Sequence, residues 1–390
     1  MILKKSILVF IFSLILLLPI FPDRVLGQTS VRVGALIPFT GRWGDAGREC
    51  AKGMLDAGKW LNQRGGIYGR KLEILVIDDN AQTAEMMAAY RKLNEADRMI
   101  LFYIYSIESA EALMPHIHFH RIPTFVSSFP ASLANPSKYP YVFSIAPTVE
   151  DLSKIGMKFL SENSGIKVRK PKIVFIGIAD PLGKSFLKET KEYAAQMGLD
   201  IGPDLWVPDV SSSKRLSFSL STLSQYNPDF AYLSMTSIEA SLLLQEASAT
   251  GLKTKWIGNH RAFDENLVAF EGVYGVQPVS PFGEDIPGMT DIQEAHRRWH
   301  PYDSHTLSYV EGWATVQVLT EAIGRSLPER MLSRERVKSV LEGFKDYVLG
   351  GLVPPLTITA KDHRPSVESR IFIIKNGKLS RHTGFISIGR

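Results

Sequence analysis

Nine histidines and one cysteine are the residues in this 390-residue chain that most invite a chemical reading. His116, His118 and His120 alternate, but they close a helical stretch ahead of Pro123 and no acidic residue flanks them, which argues against a metal site. His296 and His300 have the i, i+4 spacing of one helix face. Arg297 and Arg298 lie between them; two cations oppose a bound metal, so this reads as a solvated helix face. Asp78 and Asp79 end an apolar run and read as carboxylates capping the next helix N-terminus. There is no Walker A loop, no G-x-G-x-x-G, no H-E-x-x-H and no G-x-S-x-G. Cys50 can form neither an intramolecular disulfide nor a cysteine-based metal site; it reads as a small apolar core residue of a helix. No catalytic residue, metal or cofactor is expected.

What remains is a set of loops: Thr40 to Asp45, Tyr105 to Ser109, Ser127 to Ala131, Asp180 to Lys184, Thr236-Ser237 and Asn259 to Phe263. They carry hydroxyls, aromatics and helix starts. Hydroxyls and free backbone N–H groups suit a carboxylate or another polar head, and aromatics suit an apolar body or ring. That chemistry describes a binding cleft and supplies no nucleophile–base pair. Trp43, in a Gly-flanked loop, is expected to form an aromatic wall of the cleft.

The elements that position these loops follow from periodicity. Val31 to Ile37, Lys71 to Ile77, Ile100 to Ile104 and Thr124 to Val126 read as buried strands. Helical stretches alternate with them at Ala46 to Asn62, stopped by Gly65-Gly66, at Ala84 to Glu95 and at Ala110 to His118. The rhythm restarts past Pro147, with strands at Lys172 to Ile178, Phe230 to Ser234 and Lys255 to Gly258. Helices are expected at Lys184 to Gln196, Ile238 to Thr250, Thr306 to Ile323 and Ser333 to Leu341. The tail reads as strands at Leu356 to Ile358 and Ile371 to Ile374, with Asn376-Gly377 in a hairpin turn. Alternating strands and helices imply an α/β chain built on two doubly wound parallel sheets, whose ligands bind outside the carboxyl ends of the strands.

The first thirty residues stand apart. Lys4 and Lys5 precede the apolar run Ile7 to Phe21, and Val25-Leu26-Gly27 offers a cleavage site, which is the pattern of a secretory signal peptide over residues 1–27. About 360 remaining residues are too many for one core. The formal charge of +5 is mild, and without a Lys/Arg tract interleaved with aromatics no nucleic-acid partner is expected.

A family resemblance emerges from several collinear segments. Val33 to Asp45, VGALIPFTGRWGD, resembles the opening strand and loop of the periplasmic branched-chain amino acid-binding proteins, and Leu61 to Asp79, LNQRGGIYGRKLEILVIDD, resembles their second motif. NPDFAYL at Asn227 to Leu233, ATGLKTKWIG at Ala249 to Gly258 and SYVEGWATVQVLTEAI at Ser308 to Ile323 are similar in the same order. The resemblance implies the type I periplasmic-binding fold: two α/β lobes joined by three crossover strands, near Ala146, Val279 and Leu356. The N-terminal lobe would comprise residues 30–145 and 280–353, the C-terminal lobe 147–277 and 356–390. It also implies a periplasmic, monomeric, non-enzymatic receptor that passes an amino acid or related small carboxylate to an ABC-transporter permease. A receptor or sensor of the same fold for a small amide is the alternative.

Carried over residue by residue, the resemblance places the aromatic of the first loop at Trp43. Tyr105, Ser106 and Ser109 fall in the loop that holds the ligand carboxylate, and Ser127, Ser128 and Phe129 in the second such loop, where Phe129-Pro130-Ala131 replaces Gly-Ala-Thr. The two ligand tyrosines of the family fall at Leu182 and near Thr236. The acid that pairs with the ligand ammonium falls at His260, next to Arg261, leaving Glu108 or Asp180 as substitute anions. The family's N-lobe disulfide has no counterpart. Cations in place of that acid imply a carboxylate ligand without an amine, aromatic acids included.

Overall fold

In the computed structural model, residues 30–80, 83–178, 181–207, 213–327 and 332–390 are described; the signal-peptide reading of residues 1–27 lies outside them. Five parallel strands form the first sheet in the order β2-β1-β3-β4-β5: β1 Val31–Leu36, β2 Leu72–Ile77, β3 Leu101–Ile104, β4 Thr124–Val126 and β5 Val142–Phe143. β1 and β3 are apolar along nearly their whole length because helices cover both faces. The exception is Arg32, which reaches the sheet margin and pairs with Glu73 of β2 at 3.0 Å. Helices α1 (Gly44–Gln63), α2 (Thr83–Arg91) and α3 (Ile107–His120) follow β1, β2 and β3. Gly65 and Gly66, at φ +100° and +67°, take the left-handed conformations that stop α1.

The second sheet runs β13-β12-β11-β10-β9-β6-β7, with β8 and β14 paired at its flanks. Its parallel part is β6 (Lys172–Ile178), β7 (Asp200–Ile201), β8 (Leu205–Val207), β9 (Phe230–Ser234), β10 (Lys255–Gly258) and β11 (Tyr274–Gln277). α4 (Val149–Asn163), α5 (Pro181–Gln196), α6 (Ser213–Tyr226) and α7 (Ser237–Ser248) belong to this half. The chain then returns to the first half as α8 (Met289–Trp299), α9 (Leu307–Ser326) and α10 (Arg334–Leu341), whose apolar faces join the core under β1. It ends as antiparallel strands β12 (Glu368–Lys375), β13 (Lys378–Arg381) and β14 (Ile386–Ser387). Asn376 and Gly377, both at positive φ, form the β12–β13 hairpin turn. The result is two doubly wound α/β lobes joined by three passages of the chain, near Ala146, near Val279 and between Ile358 and β12.

Several expectations need correction. Leu356 to Ile358 is not a strand: only a bridge from Leu356 to Tyr347 forms, and Leu356 and Ile358 pack into the first core before the third passage begins. α4 and α6 were not expected, although Thr148 caps α4 by accepting from the Asp151 N–H at 3.0 Å. His296 and His300 do not make a solvated face. His296 packs its ring against Phe282 and His305, and His300 at the end of α8 pairs with Asp56 at 2.9 Å. Asp78 accepts from the Phe39 and Asn80 N–H groups and Asp79 from the Ser109 hydroxyl at 2.7 Å, while the turn that leads into α2, which these carboxylates were expected to cap, lies outside the described residues.

α1 and α9 cross at the centre of the first core, and glycines set how closely. A Cβ on Gly53 would lie 2.0 Å from the Tyr309 carbonyl oxygen, and one on Gly312 would lie 2.1 Å from that of Cys50. Cys50 is fully buried at this crossing, and burial raises its thiol pKa far above the ordinary value. It is a core residue, as its place on a helix suggests.

Candidate functional site

In the first sheet the strand order reverses between β1 and β3, and in the second between β6 and β9. Loops leaving the carboxyl ends of strands at such points diverge and open a crevice. The β1 and β3 loops of one lobe face the β9 and β10 loops of the other, and the cleft between them has two adjoining chambers. One, of about 150 Å³, lies against the passages at Ala146 and Val279. The other, of about 90 Å³, is lined by Ile107, Val149 and Met235 among others. Trp43, Tyr105, His260 and Arg261 border both.

Arg261 sits on the partition. It leaves the β10 loop of the second lobe and spends its guanidinium on hydroxyls of the first. Its Nε donates to Ser128 Oγ at 2.9 Å, one Nη to the Tyr105 hydroxyl at 2.9 Å, and the other to Ser127 Oγ. Glu311, on the second turn of α9, lies 3.6 Å from the guanidinium and accepts from Ser127 Oγ. The guanidinium stacks 4.8 Å from the Tyr105 ring centroid and 5.8 Å from that of Trp43. Burial works against its charge, but Tyr105 and Glu311 beside it hold its pKa above the ordinary value. Burial raises that of the Tyr105 hydroxyl in turn.

His260 is half-buried beside this network, with Nε2 3.3 Å from Ser128 Oγ and Nδ1 enclosed without a partner among the described residues. Burial, reinforced by Arg261, drives its pKa well below the ordinary value. The positive charge of this loop therefore rests on Arg261, and Arg42 is a further cation that lines both chambers. Gln277 of β11 fixes the loop by donating to the His260 carbonyl at 2.7 Å.

The other expected residues divide. Ser106 lines the second chamber and Thr236 the first. Thr236 also caps α7 in a capping box: its Oγ1 accepts from the Glu239 N–H at 3.2 Å, and Glu239 accepts from the Thr236 N–H at 2.7 Å. Ser109 is not at the cleft; it is buried in the first turn of α3 with its hydroxyl committed to Asp79. Phe129 is not at the cleft either; its ring fills the core beneath β4. Leu182 is placed in the first turn of α5, and Asp180 lies outside the described residues. Glu108 lines the second chamber.

The site holds residues that no loop signal announces. Glu311 and Glu49 come from helix interiors. Arg42 bridges the lobes by pairing with Glu239 at 2.9 Å. Glu265 of the second lobe accepts from the Leu307 N–H at the start of α9, at 3.1 Å and 3.2 Å to its two oxygens. Burial, with Asp264 adjacent, pushes the Glu265 carboxyl up to about 8. Burial also raises the Asp264 carboxyl, which accepts from the Ser237 hydroxyl at 2.6 Å. Among the described residues, no group of three or more His, Cys, Asp or Glu side chains is arranged to hold a metal ion.

A family model described as "Periplasmic binding protein" matches residues 30–378. The Leu/Ile/Val-binding protein homolog 8 of Brucella abortus (strain 2308) is 24% identical over 344 residues, which is 80% of this chain and 81% of the relative. A branched-chain amino acid ABC transporter protein from Thermus thermophilus, solved with bound valine, aligns with a TM-score of 0.84 at 21% identity, covering 93% of this chain and 97% of its own. A solute-binding protein of an ABC transporter from R. palustris, solved with benzoate, aligns with a TM-score of 0.75 at 16% identity over 90% and 95% of the two chains. At such identities the two structures speak for the fold alone.

Proposed function

The chain belongs to the periplasmic binding protein family, and from that premise we propose that it is an exported receptor for a small organic carboxylate lacking an α-amine, which it hands to an ABC-transporter permease. The observation that carries this reading is the buried guanidinium of Arg261, held at the partition of the cleft by Ser127, Ser128 and Tyr105. A fork of N–H donors suits a carboxylate, and the Ser128 and Tyr105 hydroxyls, which accept from Arg261, can donate to an anion beside it, whereas Ser127 already donates to Glu311. An α-ammonium within about 4 Å of that guanidinium would be repelled in a cleft whose effective dielectric is far below that of water.

The apolar lining at Trp43, Ile107, Val149 and Met235 supplies a surface for the body of the molecule. Relatives of this fold include one solved with valine and one with benzoate, so the fold accepts carboxylates with and without an amine. In this reading the chain acts without catalysis, as a monomer. Its residues 1–27 direct export, and the lobe built on residues 30–145 and 280–358 closes on the remainder. Mass spectrometry of small molecules released by denaturing the purified protein tests it. The expected species is a carboxylate without an α-amine; an α-amino acid or a carboxamide would overturn the proposal.

A further inference from the structure

The N-terminus of α9 is capped from the opposite lobe. Its N-cap residue, Thr306, makes no side-chain cap hydrogen bond, although the first N–H groups of a helix need acceptors from outside it. Glu265 of the second lobe supplies one: its carboxylate accepts from the Leu307 N–H at 3.1 Å and 3.2 Å to its two oxygens. An acid at that place also meets the positive end of a 20-residue helix. Donor and acceptor belong to different lobes, so opening the cleft must break this bond.

Glu265 is aimed by a braced turn. Asp264 caps the turn by accepting from the Asn266 N–H at 2.8 Å, and it accepts from the Ser237 hydroxyl at 2.6 Å. The Asn266 side-chain amide donates to the same Ser237 at 3.0 Å. Ser237 is the first residue of α7, and Glu239 in the same turn holds Arg42 of the first lobe. Both ties therefore leave one corner of the second lobe, and a single rigid group of residues grips the first lobe at two points. Leu307 borders the first chamber, and Glu265 backs it.

We infer that Glu265 is a latch between the lobes: by capping α9 across the cleft it draws the ligand-free receptor toward its closed form, and loss of that cap releases the second lobe. The latch does not depend on what the cleft binds. It is also linked to protons. The charged groups around Glu265 are Asp264 in its own turn, with Arg261 acting on Asp264, and Glu49 of α1, which faces His305 at 3.5 Å. Burial and the neighbouring acids push the Glu265 carboxyl up to about 8. Opening exposes it to water and separates it from Glu49 and α9, which returns it toward the ordinary value of about 4.3. The closed form thus holds a proton that the open form releases between these values, so closure is favoured at low pH and weakens as pH rises through about 8.

Small-angle X-ray scattering of the ligand-free full chain at about pH 6 and about pH 9 tests the latch, with a circular dichroism melt showing that each protein is folded. The radius of gyration of the wild type is expected to rise from the lower pH to the higher. Glu265→Ala has no acceptor and should be expanded at both. Leu307→Pro deletes the donor instead and should also be expanded at both; proline suits the first helical position, and Thr306 before it is extended. Glu265→Gln keeps a neutral acceptor and should stay compact at both, while Asp264, Glu49 and His305 titrate as in the wild type. Radii equal to that of the wild type at about pH 6 in both Glu265→Ala and Leu307→Pro would overturn the latch. A pH-dependent expansion of Glu265→Gln as large as that of the wild type would assign the titration to its neighbours and overturn the proton linkage.

Discussion

Arg261 is the residue on which the proposed chemistry turns, and its value lies in shape as much as in charge. Lysine would keep the charge but lose the planar fork that reaches Ser127, Ser128 and Tyr105 together. Arg261→Lys is therefore expected to weaken binding of 4-methylpentanoate by about 1–3 kcal/mol, read by calorimetry; unchanged affinity would remove Arg261 from the site. Trp43 is half-buried, touching both the core and the cleft. Trp43→Ala should cost about 1–3 kcal/mol of affinity and shift the melting temperature of the empty protein only slightly.

Glu265 gives a pH signature. Its folded pKa of about 8 lies above the ordinary value of about 4.3, so the folded chain binds this proton more tightly than the unfolded chain. Stability linked to it is fully present below about pH 4 and lost as pH rises through about 8. Glu265→Gln keeps an acceptor for the Leu307 N–H and removes the titration. Its melting temperature should gain on the wild type between pH 5 and pH 8.5, and a constant difference would refute the assignment. At this scale the sequence disclosed what sits in loops after strands: Trp43, Tyr105, Ser127, Ser128, His260 and Arg261. It did not separate cleft residues from neighbours serving the core or a helix start, such as Phe129 and Ser109. Glu311 and Glu49 were illegible because an acid on a helix surface has no local mark distinguishing a cleft-facing position from a solvated one.

The elements were legible where their pattern was local. β1, β2, β3, β6 and β9 are apolar runs because helices cover both faces of their sheets, and the β12–β13 turn is written in Asn376-Gly377. α6 was missed because its Ser- and Lys-rich stretch lacks a clean apolar stripe. Leu356 to Ile358 misled because a short apolar run reads alike as strand or core loop. Two positions test the packing account. Gly312→Ala should force apart the α1–α9 crossing, where the added carbon meets the Cys50 carbonyl. A loss of about 1–3 kcal/mol or more is expected from urea unfolding. Thr236→Ala removes half of the α7 capping box and should cost about 1 kcal/mol, with a further loss of affinity only if its hydroxyl also meets the ligand.

On the scale of the whole molecule, the lobes meet through polar contacts that ligand binding can complete. Arg261 reaches Ser127, Ser128 and Tyr105, Arg42 reaches Glu239, and Glu265 holds the N-terminus of α9. Each joins a loop or helix start of one lobe to the other, and in the proposed function closure and recognition would use the same side chains. Strand order and the three chain passages make this possible by bringing four loop ends, scattered over more than two hundred residues of sequence, to one crevice. The most direct test of the central claim is calorimetric titration of the ligand-free chain with leucine and with 4-methylpentanoate, which share a skeleton and differ only in the amine. Tighter binding of 4-methylpentanoate, by tenfold or more, is predicted from the guanidinium of Arg261 in place of an acid; tighter binding of leucine would contradict it.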